Sequence, residues 1–122
     1  MGLYDAVLIK DNHIALAGGM QRAIVAAKLA LPGMSIEVEA KDLGEVKKAV
    51  KFKVGRILLD NMNVQTMRRA VKICKKAEIQ TEASGGVNLQ NVKAIAQTGV
   101  DYISIGALTH SARALDISLE IV

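Results

Sequence analysis

Aromatic side chains are scarce in this chain. Tyr4, Phe52 and Tyr102 are the only three, and tryptophan is absent. A core with so few rings must be aliphatic, as it is around buried parallel strands and in barrel interiors. Nucleic-acid binding would call for basic residues interleaved with aromatics or a known reader motif, and neither is present. Cysteine is reduced to Cys74, so no internal disulfide can form. That thiol shares an apolar helical stripe with Met67, Ala70 and Val71 and reads as a buried structural residue. No apolar run approaches the length of a membrane span. The opening Met-Gly-Leu-Tyr-Asp shows no secretory signal, and position 6 is Ala6 where N-myristoylation needs Ser or Thr. Cytoplasm is therefore the expected compartment, with neither membrane nor nucleic acid as a partner.

What remains is a 122-residue chain, 51% hydrophobic, with a net charge of +4. Its size suits one domain, 1–122. The positive excess sits on two predicted helices, with Lys47, Lys48 and Lys51 on one and Arg68, Arg69, Lys72, Lys75 and Lys76 on the other. Both read as solvated helix faces.

Five strand-like runs end in a chemical group or in glycine. They are Ala6-Val7-Leu8-Ile9 before Lys10, Ile36-Glu37-Val38 before Glu39, and Ile57-Leu58-Leu59 before Asp60. Ile79 to Ala83 precede Ser84-Gly85-Gly86, and Tyr102 to Ile105 precede Gly106. The marked residues Lys10, Glu39, Asp60, Ser84 and Gly106 follow at intervals of 29, 21, 24 and 22 residues, one strand-plus-helix unit per step. The spacing predicts strands over 6–10, 35–39, 56–60, 78–83 and 101–105. Helices are predicted near 19–31, after Asp42 with its box-like Glu45, over 64–77 behind Asn63, and over 89–98 behind Asn88. Residues 11–18 read as a loop, 108–113 as a short helical segment, and 115–122 as a last apolar stretch.

In a parallel α/β sheet the C-terminal strand ends share one face, where ligands bind. A closed eightfold barrel takes about 250 residues, roughly twice this length. Two architectures fit: part of an incomplete TIM-like barrel whose other strands lie elsewhere, or a rearranged flavodoxin-like open sheet. A chain that opens within a few residues of a chemistry-bearing strand favours the partial barrel, lacking an N-terminal domain and the first barrel strands.

Each marked residue has a structural reading beside the functional one. Lys10 can hold a phosphate or carboxylate, while Asp11 and Asn12 serve equally well as turn formers. His13 is either a proton donor or phosphate ligand, or a loop residue without a role. Glu37 and Glu39 share one side of their strand, where carboxylates are costly unless paired. Glu82 repeats that oddity. Glu39 and Asp60 can hold Mg²⁺ whose shell substrate phosphates complete, or bond ribose hydroxyls directly. Glycines at Ser84-Gly85-Gly86 and at Gly106 let backbone amides approach an anion, as at the phosphate sites of barrel enzymes. Thr109, His110 and Ser111 line the same rim.

These motifs occur in the order Lys-Asp-Asn-His, Ile-Glu-Val-Glu, Leu-Leu-Asp-Asn, Glu-Ala-Ser-Gly-Gly and Gly-Val-Asp-Tyr-Ile-Ser-Ile-Gly-Ala-Leu-Thr-His-Ser. The chain resembles the C-terminal half of quinolinate phosphoribosyltransferases, the decarboxylating enzymes of NAD biosynthesis. The resemblance runs from Gly2 to Val122. It implies an incomplete α/β barrel joined to an N-terminal α/β sandwich domain and assembled at least as a dimer. It implies that quinolinate and phosphoribosyl pyrophosphate, with Mg²⁺, give nicotinate mononucleotide, pyrophosphate and CO₂. By motif, Lys10, Glu39 and Asp60 would be catalytic, with Glu39 and Asp60 also on the ribose hydroxyls or the metal. Ser84, Gly85, Gly86 and Gly106 would hold the 5′-phosphate, and His13 and His110 would support the site. The family's quinolinate-binding arginines lie upstream of these motifs. The expectation is therefore a chain inactive by itself that supplies the ribose-phosphate side, with a phosphate-binding module or bare scaffold as the alternative.

Overall fold

The computed structural model describes residues 6–105 and 108–113. In chain order they form β1 (Ala6–Ile9), α1 (Asp11–Ala17), α2 (Met20–Ala30), β2 (Ser35–Ala40), α3 (Leu43–Lys51) and β3 (Arg56–Asp60). Then follow α4 (Val64–Lys76), β4 (Gln80–Ser84), α5 (Val92–Ala96), β5 (Tyr102–Ile105) and β6 (Leu108–Ser111). Gly106 and the apolar stretch 115–122 lie outside the described residues.

The caps anticipated from sequence are made. Asp42 Oδ1 accepts the Glu45 N–H at 2.8 Å while Glu45 Oε1 accepts the Lys41 N–H at 3.3 Å, so α3 starts with its first donors satisfied. Asn63 Oδ1 does the same for Thr66 of α4 at 2.8 Å. Three expectations change. Residues 11–17 form a helix rather than a loop, closed by Gly18 in the left-handed conformation at φ 85°. The helix behind Asn88 is five residues long, because Asn88 Oδ1 first takes the Gln90 and Asn91 amides at 2.9 and 3.0 Å in a local turn. The segment 108–113 is mainly strand, since Leu108–Ser111 pair antiparallel with β5 and satisfy that edge.

The six strands form one sheet in the order β1-β2-β3-β4-β5-β6, parallel from β1 to β5. Each crossover advances by one strand. A flavodoxin-like sheet reverses its order at a switch point, so that alternative is ruled out and the sheet is a barrel wall. Repeated crossovers of one hand put the helices on one face. There Val38, Ala40, Ile57, Leu59, Ala83 and Ile103 pack with Ile24, Val46, Met67, Val71, Val92 and Ile95 in one apolar cluster. Each large aliphatic side chain so buried contributes about 2 kcal/mol. Cys74 lies in the same cluster, where burial raises its thiol to about 11, as an inert structural residue requires. Lys47, Lys48, Lys51, Arg68, Arg69, Lys72, Lys75 and Lys76 all stand exposed on the outside.

Candidate functional site

Alternation along the strands turns the remaining side chains to the inner face, away from the helices. The register sets them in layers. Leu8, Glu37, Arg56 and Gln80 stand in line, then Glu39, Leu58, Glu82, Tyr102 and Ser111. Above them Asp60 pairs with Ser84, and Ser104 with Thr109. Leu58 is buried yet absent from the helix-side cluster, which fixes its layer on the inner face.

The mouth is built from the strand ends. Asn61 N–H donates to Ser84 O at 2.7 Å and ties the β3 and β4 exits together. Gly85 and Gly86 follow with φ of 79° and 67°. A Cβ on Gly85 would sit 3.0 Å from Asp60 Oδ1 and 3.3 Å from the Asn61 amide nitrogen. Only glycine gives that conformation and that approach at once. Asn91 Nδ2 donates to Gly86 O at 2.7 Å and holds the far side of the turn. Between this turn and the first turn of α4 lies an open cleft of about 420 Å³ lined by Asn61, Asn63, Gly85, Gly86, Asn91 and Ile95. The helix start and two consecutive left-handed residues both suit an anion.

Glu39 and Asp60 are both half-buried on neighbouring strands of the inner face, beside the Ser84 turn. Lys10 and His13 are exposed at the first turn of α1. His13 Nδ1 accepts the Lys10 N–H at 3.3 Å, which puts the proton of the neutral ring on Nε2. His110 is set apart from this row. It pairs with Ile103, whose side chain is in the helix-side core, so it occupies the face opposite the carboxylates.

The inner layers hold a network that reading motifs alone missed. Arg56, 3% exposed, donates Nη1 to Glu82 Oε1 at 3.1 Å and lies 3.8 Å over the Tyr102 ring. Ser104 Oγ donates to Glu82 Oε2 at 2.5 Å, and the buried Glu37 carboxyl lies in the same inner-face group, with its Oε1 lacking a hydrogen-bond partner among the described residues. Burial, then the neighbouring Glu82 charge, push Glu37 up from 4.5 to about 7, with Arg56 opposing. Between those values the folded chain holds a proton that the unfolded chain has released. Stability is therefore expected to fall as pH rises from about 4.5 to about 7, by up to about 3 kcal/mol. Urea denaturation across that window checks it, and a Glu37→Gln variant should lose this component of the slope. The sequence signal was a charged residue at an inward position on each of three successive strands, a coincidence visible only once the register is known.

The sequence profile described as "Quinolinate phosphoribosyl transferase, C-terminal domain" matches residues 1–120. The chain belongs to this family. Among its relatives, the probable nicotinate-nucleotide pyrophosphorylase (carboxylating) of Synechocystis is 46% identical over all of this chain and 42% of its own length. The chloroplastic nicotinate-nucleotide pyrophosphorylase (carboxylating) of Arabidopsis thaliana is 44% identical over 99% of this chain and 40% of its own. The solved nicotinate-nucleotide pyrophosphorylase of Francisella tularensis superimposes with a TM-score of 0.79 at 40% identity, over 87% of this chain and 38% of that one. This quinolinate phosphoribosyltransferase domain thus spans about two fifths of the length of the curated relatives it matches. The thiamine phosphate pyrophosphorylase of Pyrococcus furiosus, 23% identical with a TM-score of 0.70, shares the barrel fold. Among the described residues no helix is long and apolar enough to cross a membrane.

Proposed function

We propose that this chain forms the ribose-phosphate side of a site that converts quinolinate and phosphoribosyl pyrophosphate to nicotinate mononucleotide, pyrophosphate and CO₂. The observation that carries the reading is the Gly85-Gly86 turn, which faces an open cleft at the head of α4 with Asp60 beside it. Its amides would take the 5′-phosphate together with Ser84 and Gly106, while Glu39 and Asp60 face the sugar. When the ring nitrogen of quinolinate attacks the anomeric carbon, positive charge grows on the ribose, and carboxylates on that side stabilise it. Lys10, beyond them at the β1 exit, would contact the anionic substrates as a point charge, with His13 beside it. The pyridinium formed then withdraws the electrons that CO₂ leaves behind.

Two carboxylates on neighbouring strands, with no cluster of three or more potential metal ligands among the described residues, fit an ion completed by substrate phosphates. That ion would be Mg²⁺ on Glu39 and Asp60, and when bound it would neutralise the leaving pyrophosphate.

Quinolinate carries two carboxylates and calls for cationic forks. Among the described arginines, Arg56 is engaged with Glu82 and Tyr102, and Arg22, Arg68, Arg69 and Arg113 are exposed. The 122 residues are accordingly proposed to bind the sugar phosphate without turnover. Among the described strands β1 pairs only with β2, and Leu16 and Leu29 stand exposed on α1 and α2. That edge supports the further proposal of a homo-oligomer.

Calorimetric titration with phosphoribosyl pyrophosphate and Mg²⁺ tests the reading. Saturable binding without product on adding quinolinate is expected. No saturable binding would leave only a scaffold, and turnover at rates usual for full-length relatives would defeat the claim that half of the site is present.

A further inference from the structure

The glycine turn of the mouth owes its polarity to two asparagines. Every peptide unit carries a donor and an acceptor, so a bare turn offers an anion as many repelling carbonyls as attracting amides. Here two of the carbonyls of Ser84, Gly85 and Gly86 are withdrawn. Ser84 O accepts the Asn61 N–H at 2.7 Å, and Gly86 O accepts Asn91 Nδ2 at 2.7 Å. The amides of Gly85, Gly86 and Val87 donate to no other described residue. A planar trans peptide points its C=O and its following N–H in opposite directions. Holding Ser84 O on Asn61 therefore aims the Gly85 N–H away from the β3 exit. Holding Gly86 O on Asn91 aims the Val87 N–H away from Asn91. Two glycines at φ of 79° and 67° leave these planes easy to rotate, and the two bonds remove that freedom.

Asn91 is itself oriented for this contact. Its Oδ1 accepts the Asn88 N–H at 2.8 Å, so its Nδ2 faces the other way, onto the Gly86 carbonyl. Asn88 has a separate task. Its Oδ1 takes the Gln90 and Asn91 amides at 2.9 and 3.0 Å and shapes the turn into α5. The side chain that shapes the loop and the side chain that reaches the glycine turn are thus different. No cationic side chain lines the cleft beside the turn, so the direction of its amides decides whether an anion is attracted there.

We infer that Asn91 is a positioning residue of the glycine turn: by engaging the Gly86 carbonyl it makes the turn a set of donors for a tetrahedral oxyanion. Asn91 acts through the peptide plane, without contact to the ligand. The inference rests on the sugar-phosphate reading above and deepens it, because it names what gives the phosphate end of the site its sign.

Inorganic phosphate titrated into the full 122-residue chain, with the backbone amides followed by NMR, tests the inference. In the wild type the Gly85, Gly86 and Val87 amide protons are expected to move downfield together. Asn91→Leu keeps the approximate shape of asparagine and removes the bond to Gly86 O. It is expected to weaken phosphate about three- to tenfold. It should also abolish the Val87 shift at saturation, while Gly85, still aimed through the Asn61 bond, keeps its own. Asn88→Ala unseats the turn into α5 and leaves Gly86 O engaged, so it should lower the melting temperature and keep the wild-type phosphate affinity. If Asn91→Leu does not fold, Asn91→Ala carries the same expectations. Wild-type affinity in the Asn91 variant, a Val87 amide indifferent to phosphate in the wild type, or an equal loss of affinity in Asn88→Ala would overturn the inference. Where phosphate saturates the wild type and shifts the glycine amides, such a result leaves the glycine-turn reading standing and removes only the role of Asn91. If phosphate does not bind the wild type, both fall together.

Discussion

Replacing Arg56 by alanine is expected to destabilise the folded chain by about 3–5 kcal/mol at neutral pH. The guanidinium is 3% exposed and forms a buried ion pair with Glu82 on the inner face. It binds Glu82 at 3.1 Å, reaches Gln80 Oε1 at 3.4 Å and covers the Tyr102 ring. Removing it strands a buried carboxylate beside Glu37, which already resists ionisation. Water does not reach those oxygens readily, so the stranded charge keeps most of its desolvation penalty. The loss should shrink toward pH 5, where the pair can take up a proton and the missing cation matters less. Denaturant titrations of wild type and Arg56→Ala near pH 5 and pH 8 check both statements. A loss below about 1 kcal/mol, or one independent of pH, would show that the network carries no weight in folding. The double replacement Arg56→Met with Glu82→Leu should recover much of the stability, since well-packed apolar pairs often replace buried ion pairs without loss. It should do so while removing the acceptor of the Ser104 hydroxyl, separating what the charges do for folding from what they do for that side chain.

That separation bears on how the sequence could be read. The strand ends were legible because each apolar run is short, stops at a polar or glycine residue and recurs after one helix length. Caps at Asp42 and Asn63 were legible because a capping side chain acts within three residues. The inner network was not, because Glu37, Arg56 and Glu82 meet only through the register of three strands. Nor does an alternating strand-helix pattern distinguish a barrel wall from a doubly wound sheet, since both obey the same local periodicities and differ only in where each crossover lands. The two misjudged segments are both short. Asp11-Asn12-His13 carries turn chemistry, yet the Lys10 amide turns it into a helix start by donating to His13. Leu108-Thr109-His110-Ser111 is four residues long, too few to show any period, and its state is decided by the open edge of β5. The same pairing turns His110 away from the mouth, which no motif match could reveal. For the site, residue types were readable and orientation was not.

Gly85→Val is expected to remove phosphate binding and to lower stability by about 2–5 kcal/mol. Two independent penalties act at this position. At φ 79° a β-branched residue is disfavoured by about 1–2 kcal/mol whatever surrounds it. Its Cβ would also stand 3.0 Å from Asp60 Oδ1 and 3.3 Å from the Asn61 amide nitrogen, and neither can retreat easily. Asn61 is itself left-handed at φ 55° and donates its amide to Ser84 O at 2.7 Å. Relief therefore means parting the exits of β3 and β4, which moves Asp60, Ser84 and the turn amides together. The neighbouring Gly86 supplies the contrast. It too is left-handed, but its Cβ would meet only Asn61 Oδ1, at 3.0 Å, at the end of an exposed side chain that can rotate away. Gly86→Ala should thus be milder in stability, by about 1–2 kcal/mol, while still impairing binding by strain in the turn. Thermal unfolding measures the first difference and titration with inorganic phosphate the second. Phosphate affinity unchanged in Gly85→Val, with the variant folded, would remove the glycine turn from the site and with it the reason for placing a sugar phosphate at this mouth.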